Sequence, residues 1–374
     1  MLPERETAEK TWLFWVQRKL RPAPGGQAPP DLLTELKSLV ESAGGVVRGG
    51  QTQLVASENP ATLIGKGTLS RLKETVREND VELVVFQNLL RPRQQMLLEE
   101  ELGVKVLDRR EIILDIFAQR ARTKEGKLQV ELAQLSFRMG RLIGGRKGLS
   151  RLGGGIGTRG PGEKKLEEDR RKIRSQIRQI ERELDTVRRT RTLHYRRRRE
   201  IGFPVVALVG YTNAGKSTLF NKMTGADVFV ADQLFATLDP TARRFALPGG
   251  KEAILVDTVG FIHELPEELR KAFLATLEGI GEADLLVQVV DGSSEHMEEN
   301  VASVERILSA LAFEDKPTIL AVNKSDLGTA GGPCPEGGIR ISAANGEGMN
   351  SLLRAIEGGL CSHRSEENGS MRRG

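Results

Sequence analysis

Apolar positions recur along the chain with different periods, and the changes of period divide it into zones. In the first zone, roughly 1–107, Leu32, Leu33, Leu36 and Leu39 stand at i, i+1, i+4 and i+7, which predicts an amphipathic helix. Val81–Phe86 and Val104–Leu107 read as buried strands with an Arg/Gln/Glu-rich helix between them, and Gly65-Lys66-Gly67 precedes another helix over Thr68–Val76. Strands alternating with helices predict a small α/β subdomain with a parallel sheet. In the second zone, 108–200, Leu128, Leu132, Leu135, Met139 and Leu142 recur in steps of four and three, as do Ile173, Ile177, Ile180, Leu184 and Val187. That spacing predicts two long helices folded as an antiparallel coiled-coil hairpin. The third zone, 203–360, holds short β-branched runs at Val205–Val209, Ala253–Val256, Leu285–Val290 and Thr318–Val322 with helical segments between, the pattern of a doubly wound α/β domain. Residues 361–374 are polar and small and are predicted to be a disordered tail.

Composition adds little to this for most of the chain. Of 374 residues, 39% are hydrophobic and 29% charged, which fits a folded chain and excludes a disordered one. No apolar run approaches the roughly eighteen residues of a membrane span, and the opening segment, with early acidic residues and a short apolar core, is not expected to be a secretory signal. Cys334 and Cys361 form no CxxC pair, so neither a disulfide framework nor a zinc site is expected, and the chain reads as cytosolic. Charge changes the picture in one place. The net charge is only +5, but Arg and Lys crowd the stretch from Arg138 to Arg199. Arg170, Arg171, Arg174, Arg178, Arg182, Arg188 and Arg189 lie outside the apolar seam of the second long helix. The glycine-rich segment joining the two helices carries Arg146, Lys147, Arg151 and Arg159. A basic loop at the tip of a coiled coil suits an RNA-lined site, with affinity drawn largely from phosphates; these four residues are the expected rRNA contacts.

The chemistry concentrates in the third zone. Gly210, Tyr211, Thr212, Asn213, Ala214, Gly215, Lys216 and Ser217 match GxxxxGK[ST] between a strand and a helix. Backbone N–H groups of such a loop curl round phosphates, Lys216 reaches the β- and γ-phosphates, and the Ser217 hydroxyl ligates Mg²⁺. Asp257, Thr258, Val259 and Gly260 form a DxxG after a strand; the carboxylate serves the magnesium shell and the Gly260 N–H meets the γ-phosphate. Asn323, Lys324, Ser325 and Asp326 select the base, because the Asp326 carboxylate accepts two hydrogen bonds that guanine offers and adenine does not. Ser342, Ala343 and Ala344 match the loop whose backbone touches the guanine oxygen. Between the first two motifs lie Phe235, Ala236, Thr237, Leu238 and Asp239, with Thr237 as second magnesium ligand and Thr241 as the alternative. Lys216, Thr237 and Gly260 are therefore the expected catalytic residues. The residue after DxxG is Phe261 rather than a water-orienting glutamine, so slow, partner-stimulated hydrolysis is expected, with His263 and Glu264 as nearby polar groups.

Together, GYTNAGKSTLFN, DQLFATLDPT, DTVGFIHELP and NKSD, with ATLIGKGTLSRL and GGIGTRGPGE upstream, resemble the HflX family of ribosome-associated GTPases over nearly the whole chain. The resemblance implies an N-terminal α/β subdomain, a helical hairpin and a GTPase domain. It further implies GTP/GDP and Mg²⁺ as ligands, binding to the 50S subunit and its 23S rRNA, and splitting of stalled 70S ribosomes. The alternative is a 50S assembly or rRNA-remodelling factor using GTP or ATP. ATP binding at the N-terminal region and peripheral membrane association also follow from the family. The chain is expected to act as a monomer, with no DNA among its partners. It departs from the family at Lys164 and Lys165, where a Thr-Gln pair is usual, in the opening segment TWLFWVQRKL, which leaves the start of the first sheet open, and in having little sequence after the GTPase domain.

Overall fold

The structure is a computed structural model that describes residues 8–19, 32–144, 161–200, 202–226, 234–235, 241–262, 280–328 and 334–371. Two compact units emerge, one of Met1–Gln119 with Val130–Arg182, the other of Arg120–Gln129 with Glu183–Gly374. Their division passes through both long helices.

In the first unit, strands and helices alternate: β1 Lys10–Arg18, α1 Leu32–Ser42, β2 Val46–Val55, α2 Lys66–Glu78, β3 Leu83–Phe86, α3 Pro92–Leu102, β4 Lys105–Asp108 and α4 Arg109–Arg120. The sheet order is β2-β1-β3-β4, with all pairings parallel. The opening segment whose role the sequence left open is thus an interior strand. Leu13, Phe14 and Val16 are buried in it, and the Phe14 ring meets Phe86 at 5.1 Å. No sequence pattern announced β2, because Arg48, Gln51, Thr52 and Gln53 as well as Gly49 and Gly50 separate its few apolar positions. Those glycines have a tertiary cause: a Cβ on Gly49 would stand 2.5 Å from the Trp12 ring. The second zone also begins differently from its reading. α4 is a separate helix whose Ile112, Ile113, Ile116 and Phe117 are buried, and only then does α5 (Lys124–Gly144) begin. α6 runs from Pro161 to Glu200.

A half-buried polar hub holds the end of α5 in this unit. Arg141 pairs with Glu111 at 2.5 Å and reaches Gln95. Arg110 and Arg141 each lie 5.2 Å from the Phe137 ring centre. Burial raises the Glu111 carboxyl above its usual range although Arg141 opposes the shift. Arg141 thereby fixes the last turn of α5, directly ahead of the segment that contains Arg146, Lys147, Arg151 and Arg159. Those four residues lie outside the described residues.

The second unit is a six-stranded sheet in the order β10-β9-β8-β5-β7-β6. Its elements are β5 Val205–Gly210, α7 Lys216–Thr224, β6 Thr241–Ala246, β7 Glu252–Asp257, β8 Leu285–Asp291, α8 Met297–Ala310, β9 Thr318–Asn323, β10 Ile339–Arg340 and α9 Met349–Met371. Every pairing is parallel except β6 with β7. β5 is buried along its whole length, as a central strand covered on both faces must be. α9 extends through Met371, into the segment expected to be a disordered tail. Leu352, Ile356 and Leu360 anchor its first turns in the core, and extending an established helix costs little compared with starting one. Among the described residues no helix is long and apolar enough to cross a membrane.

Candidate nucleotide site

The carboxyl ends of β5, β7, β8 and β9 bring the predicted motifs together. Between β5 and α7, Gly210 to Ser217 form the glycine-rich turn. Gly215 has φ +88° at the N-terminus of α7, a left-handed geometry that favours glycine. A Cβ there would also come within 2.2 Å of Asn323 Nδ2. That close approach lets Asn323 Nδ2 donate to the Ala214 carbonyl at 2.8 Å, while its Oδ1 accepts from the Ala343 N–H at 2.9 Å. One side chain therefore ties the phosphate-type loop to both base-type loops.

Lys216 is buried, its Nζ donating to the carbonyls of Gly210 (3.1 Å) and Tyr211 (2.8 Å). Desolvation pushes its pKa down to about 8, against the opposing pull of Asp257. The unfolded chain, at the ordinary value of 10.5, binds more protons between these limits. This group's contribution to stability therefore rises as pH climbs from about 8 to 10.5. A polyanion beside Lys216 restores its charge, so nucleotide binding at pH 8.5 should take up a fraction of a proton. Calorimetry in two buffers of different ionisation heat checks this; identical apparent enthalpies at pH 8.5 would contradict it.

Asp257 and Thr258 are fully buried at the end of β7. Ser217 Oγ donates to Asp257 Oδ2 at 2.8 Å, and Thr258 Oγ1 donates to the Leu208 carbonyl at 2.6 Å. Beyond them the chain pairs again with the glycine-rich turn. The Thr212 N–H donates to the Phe261 carbonyl at 2.7 Å, and the Phe261 N–H to the Gly210 carbonyl at 3.1 Å. Gly260 has no room for a side chain: a Cβ would stand 2.9 Å from Thr212 Cα and 3.0 Å from Lys216 Nζ. The Phe261 side chain is 4% exposed and packs in the core with Val205, Ala207, Val209 and Val256. Val259 is buried as well.

On the base side, Lys324 takes a left-handed φ of +63° and its Nζ pairs with Asp291 Oδ2 at 2.7 Å. Asp291, at the end of β8, was not singled out in the sequence; the turn-forming DGSS after a buried strand was the available signal. The Ser342 hydroxyl donates to Asp326 Oδ1 at 2.5 Å, and the Ser325 N–H to the Ile341 carbonyl at 3.1 Å. Ala344 is exposed beside them. Phe235 is buried with φ +56°. Ala236, Thr237, Leu238, Asp239, His263 and Glu264 lie outside the described residues. Thr241 opens β6 opposite Asp257. In the first unit, Lys66 lies at the start of α2 with Gly65 as its cap.

Three family models match in succession: "GTP-binding GTPase N-terminal" over residues 31–118, "GTP-binding GTPase Middle Region" over 120–198 and "50S ribosome-binding GTPase" over 205–324. GTPase HflX of Caldanaerobacter subterraneus is 52% identical over 330 residues, 87% of this chain and 76% of that protein. GTPase HflX of Escherichia coli is 46% identical over 295 residues, 79% and 69% of the two chains. The chain belongs to the HflX family of GTPases. It is an enzyme that binds GTP and hydrolyses it to GDP and phosphate. In fold, the chain is similar to the crystal structure of the SsGBP and GDP complex. That structure is 24% identical with a TM-score of 0.50, covering 95% of this chain and 99% of that one.

Proposed function

We propose that this HflX protein binds the 50S subunit in its GTP state, displaces the 30S subunit from stalled 70S ribosomes, and leaves after hydrolysis. The observation that carries this reading is the face of α6. Arg171, Arg174, Arg178, Arg182 and Arg189 are exposed along it, while Ile180 and Leu184 on the seam are buried. A helix of that length with one arginine-rich side matches the charge of an RNA backbone better than it matches a protein surface. Lys124, at the start of α5, lies 3.9 Å from Glu183 in α6, which supports an antiparallel hairpin. Arg146, Lys147, Arg151 and Arg159, in the segment between α5 and α6, are the proposed contacts with 23S rRNA.

For hydrolysis, the backbone N–H groups of Asn213 to Ser217 hold the phosphates and Lys216 bridges the β- and γ-oxygens. Ser217 and Asp257 present adjacent oxygens, a donor set that suits Mg²⁺, and would hold the ion with the Ser217 hydroxyl as ligand and the Asp257 carboxylate in its shell. Thr237 would supply a second hydroxyl ligand. Bound Mg²⁺ neutralises charge on the β- and γ-phosphates. Water attacks the γ-phosphorus, its bond to the β-phosphate oxygen breaks, and the Gly260 N–H follows the departing phosphate. Phe261 offers the water no polar group, since its side chain lies in the core and both backbone groups are engaged. Intrinsic turnover is accordingly slow, and the ribosome supplies what orients the water. In the alternative reading the same surfaces act on 50S precursors, with ATP at the open glycines flanking Lys66, where an added Cβ meets nothing within 4 Å.

Sedimentation of 70S ribosomes with this protein and a non-hydrolysable GTP analogue tests the proposal. The 70S peak should fall as free subunits rise, and Arg146, Lys147, Arg151 and Arg159 replaced together by alanine should abolish the effect. An unchanged 70S peak with the natural protein rejects splitting and favours the assembly reading. Full activity of the fourfold variant rejects the loop assignment.

A further inference from the structure

Asp291 closes β8, and both of its carboxylate oxygens are engaged. Oδ1 accepts from the Ser293 N–H at 2.9 Å and from the Ser293 hydroxyl at 2.6 Å. Oδ2 meets the Lys324 ammonium at 2.7 Å. The Lys324 and Asp291 side chains are 22% and 21% exposed, so water screens the pair only in part. The backbone around them is equally committed. Asp291 stands opposite Asn323 in the β8–β9 register, and the Gly292 N–H donates to the Asn323 carbonyl at 2.8 Å. Gly292 has no room for a side chain, since a Cβ would stand 2.7 Å from Val322 Cγ1 and 3.0 Å from the Asn323 carbonyl oxygen. The anchor of Lys324 is therefore a carboxylate fixed on the neighbouring strand, outside the contiguous base-reading motif.

We propose that Asp291 is a positioning residue for guanine nucleotides, which it serves by holding the Lys324 stem across the base; this rests on the base-loop reading of Asn323 to Asp326 above. A lysine stem is long and unbranched, and a free one loses much rotamer freedom when a ligand orders it. The ion pair fixes its ammonium end before nucleotide arrives, and the left-handed φ of +63° sets the direction in which it leaves the chain. Held at both ends, the stem offers its methylenes to the flat face of the base, while Asp326 reads the edge. Ordering the lysine in advance removes part of the cost of binding and slows release.

The test measures release of fluorescently labelled GDP from the full chain when excess unlabelled GDP is added. Asp291→Asn keeps an acceptor for Ser293 and removes the charge that holds Lys324. It should release GDP about tenfold faster than the natural protein. Lys324→Met keeps an unbranched apolar stem, loses the ammonium, and should speed release to a similar extent. Adding Asp291→Asn to Lys324→Met should speed release no further, because the pair is already broken. An unchanged rate in either single variant overturns the proposal. So does an equal further acceleration in the double variant, the mark of a residue that supports the fold without acting through Lys324. The base-loop reading stands or falls separately, on whether Asp326→Asn shifts preference from GTP to xanthosine triphosphate.

Discussion

Asp326→Asn is expected to weaken GTP binding by roughly 10²–10⁴-fold and to let xanthosine triphosphate bind in its place. The carboxylate accepts from the ring N–H and the exocyclic amine of guanine. An amide offers one acceptor and one donor, so one contact becomes two opposed N–H groups. A mispaired, desolvated polar group costs about 1–3 kcal/mol, and more beside a charge. Xanthine presents an oxygen where guanine has the amine, which restores the pairing. The structure makes the substitution a clean one. The Ser342 hydroxyl donates to Asp326 Oδ1, and an asparagine Oδ1 can accept that bond equally well. Asn323 and Lys324 keep their own partners, Ala214 with Ala343 and Asp291. Competition of labelled GTP by GTP and xanthosine triphosphate reads the result. Undiminished preference for GTP in the variant would remove Asp326 from its assigned role.

Gly210→Ala should lower the stability of the same unit by more than about 3 kcal/mol. The alanine Cβ would stand 2.2 Å from the Val289 carbonyl oxygen. The obstacle is backbone, and it belongs to a strand held in register against β5 and β9. Neither strand can retreat without disturbing the sheet, since β5 is itself held between β7 and β8. Gly215→Ala should cost less stability. The Cβ there meets the Asn323 side chain, which can swing aside, although the tie to Ala214 is lost and φ is strained. Gly65→Ala, where the added carbon meets nothing within 4 Å, is the control and should be near neutral. Thermal unfolding with and without GDP ranks the three. A Gly210→Ala protein as stable as the natural one would refute the argument.

Much of this site was legible in advance because its motifs are short and contiguous. A β-branched strand, a glycine-rich turn and a helix start within thirteen residues, Val205 to Ser217, carry their own geometry. NKSD and SAA are legible for the same reason. The N-terminal sheet was less so. Its β3 and β4 are short apolar runs that announce themselves, whereas β1 departs from the family's opening strand and runs into a Pro/Gly-rich stretch, and β2 mixes glycines and polar residues with its few apolar ones. Trp12 of β1 and Gly49 of β2 explain each other, since the Trp12 ring occupies the space that Gly49 leaves.

By itself the sequence determined the GTPase class, the order of the motifs and the apolar seams of the two long helices. Each of these depends on neighbours a few positions away, where chain connectivity sets the geometry. The partners of Lys324 and Phe261 were decided only by the tertiary structure. Asp291 reaches Lys324 from the end of another strand. Phe261, legible as a missing glutamine, became a core residue whose backbone is latched to Gly210 and Thr212, some fifty positions earlier. The same meeting of segments leaves Gly260 no room for a side chain beside Thr212, a property of two segments brought together, not of either one alone.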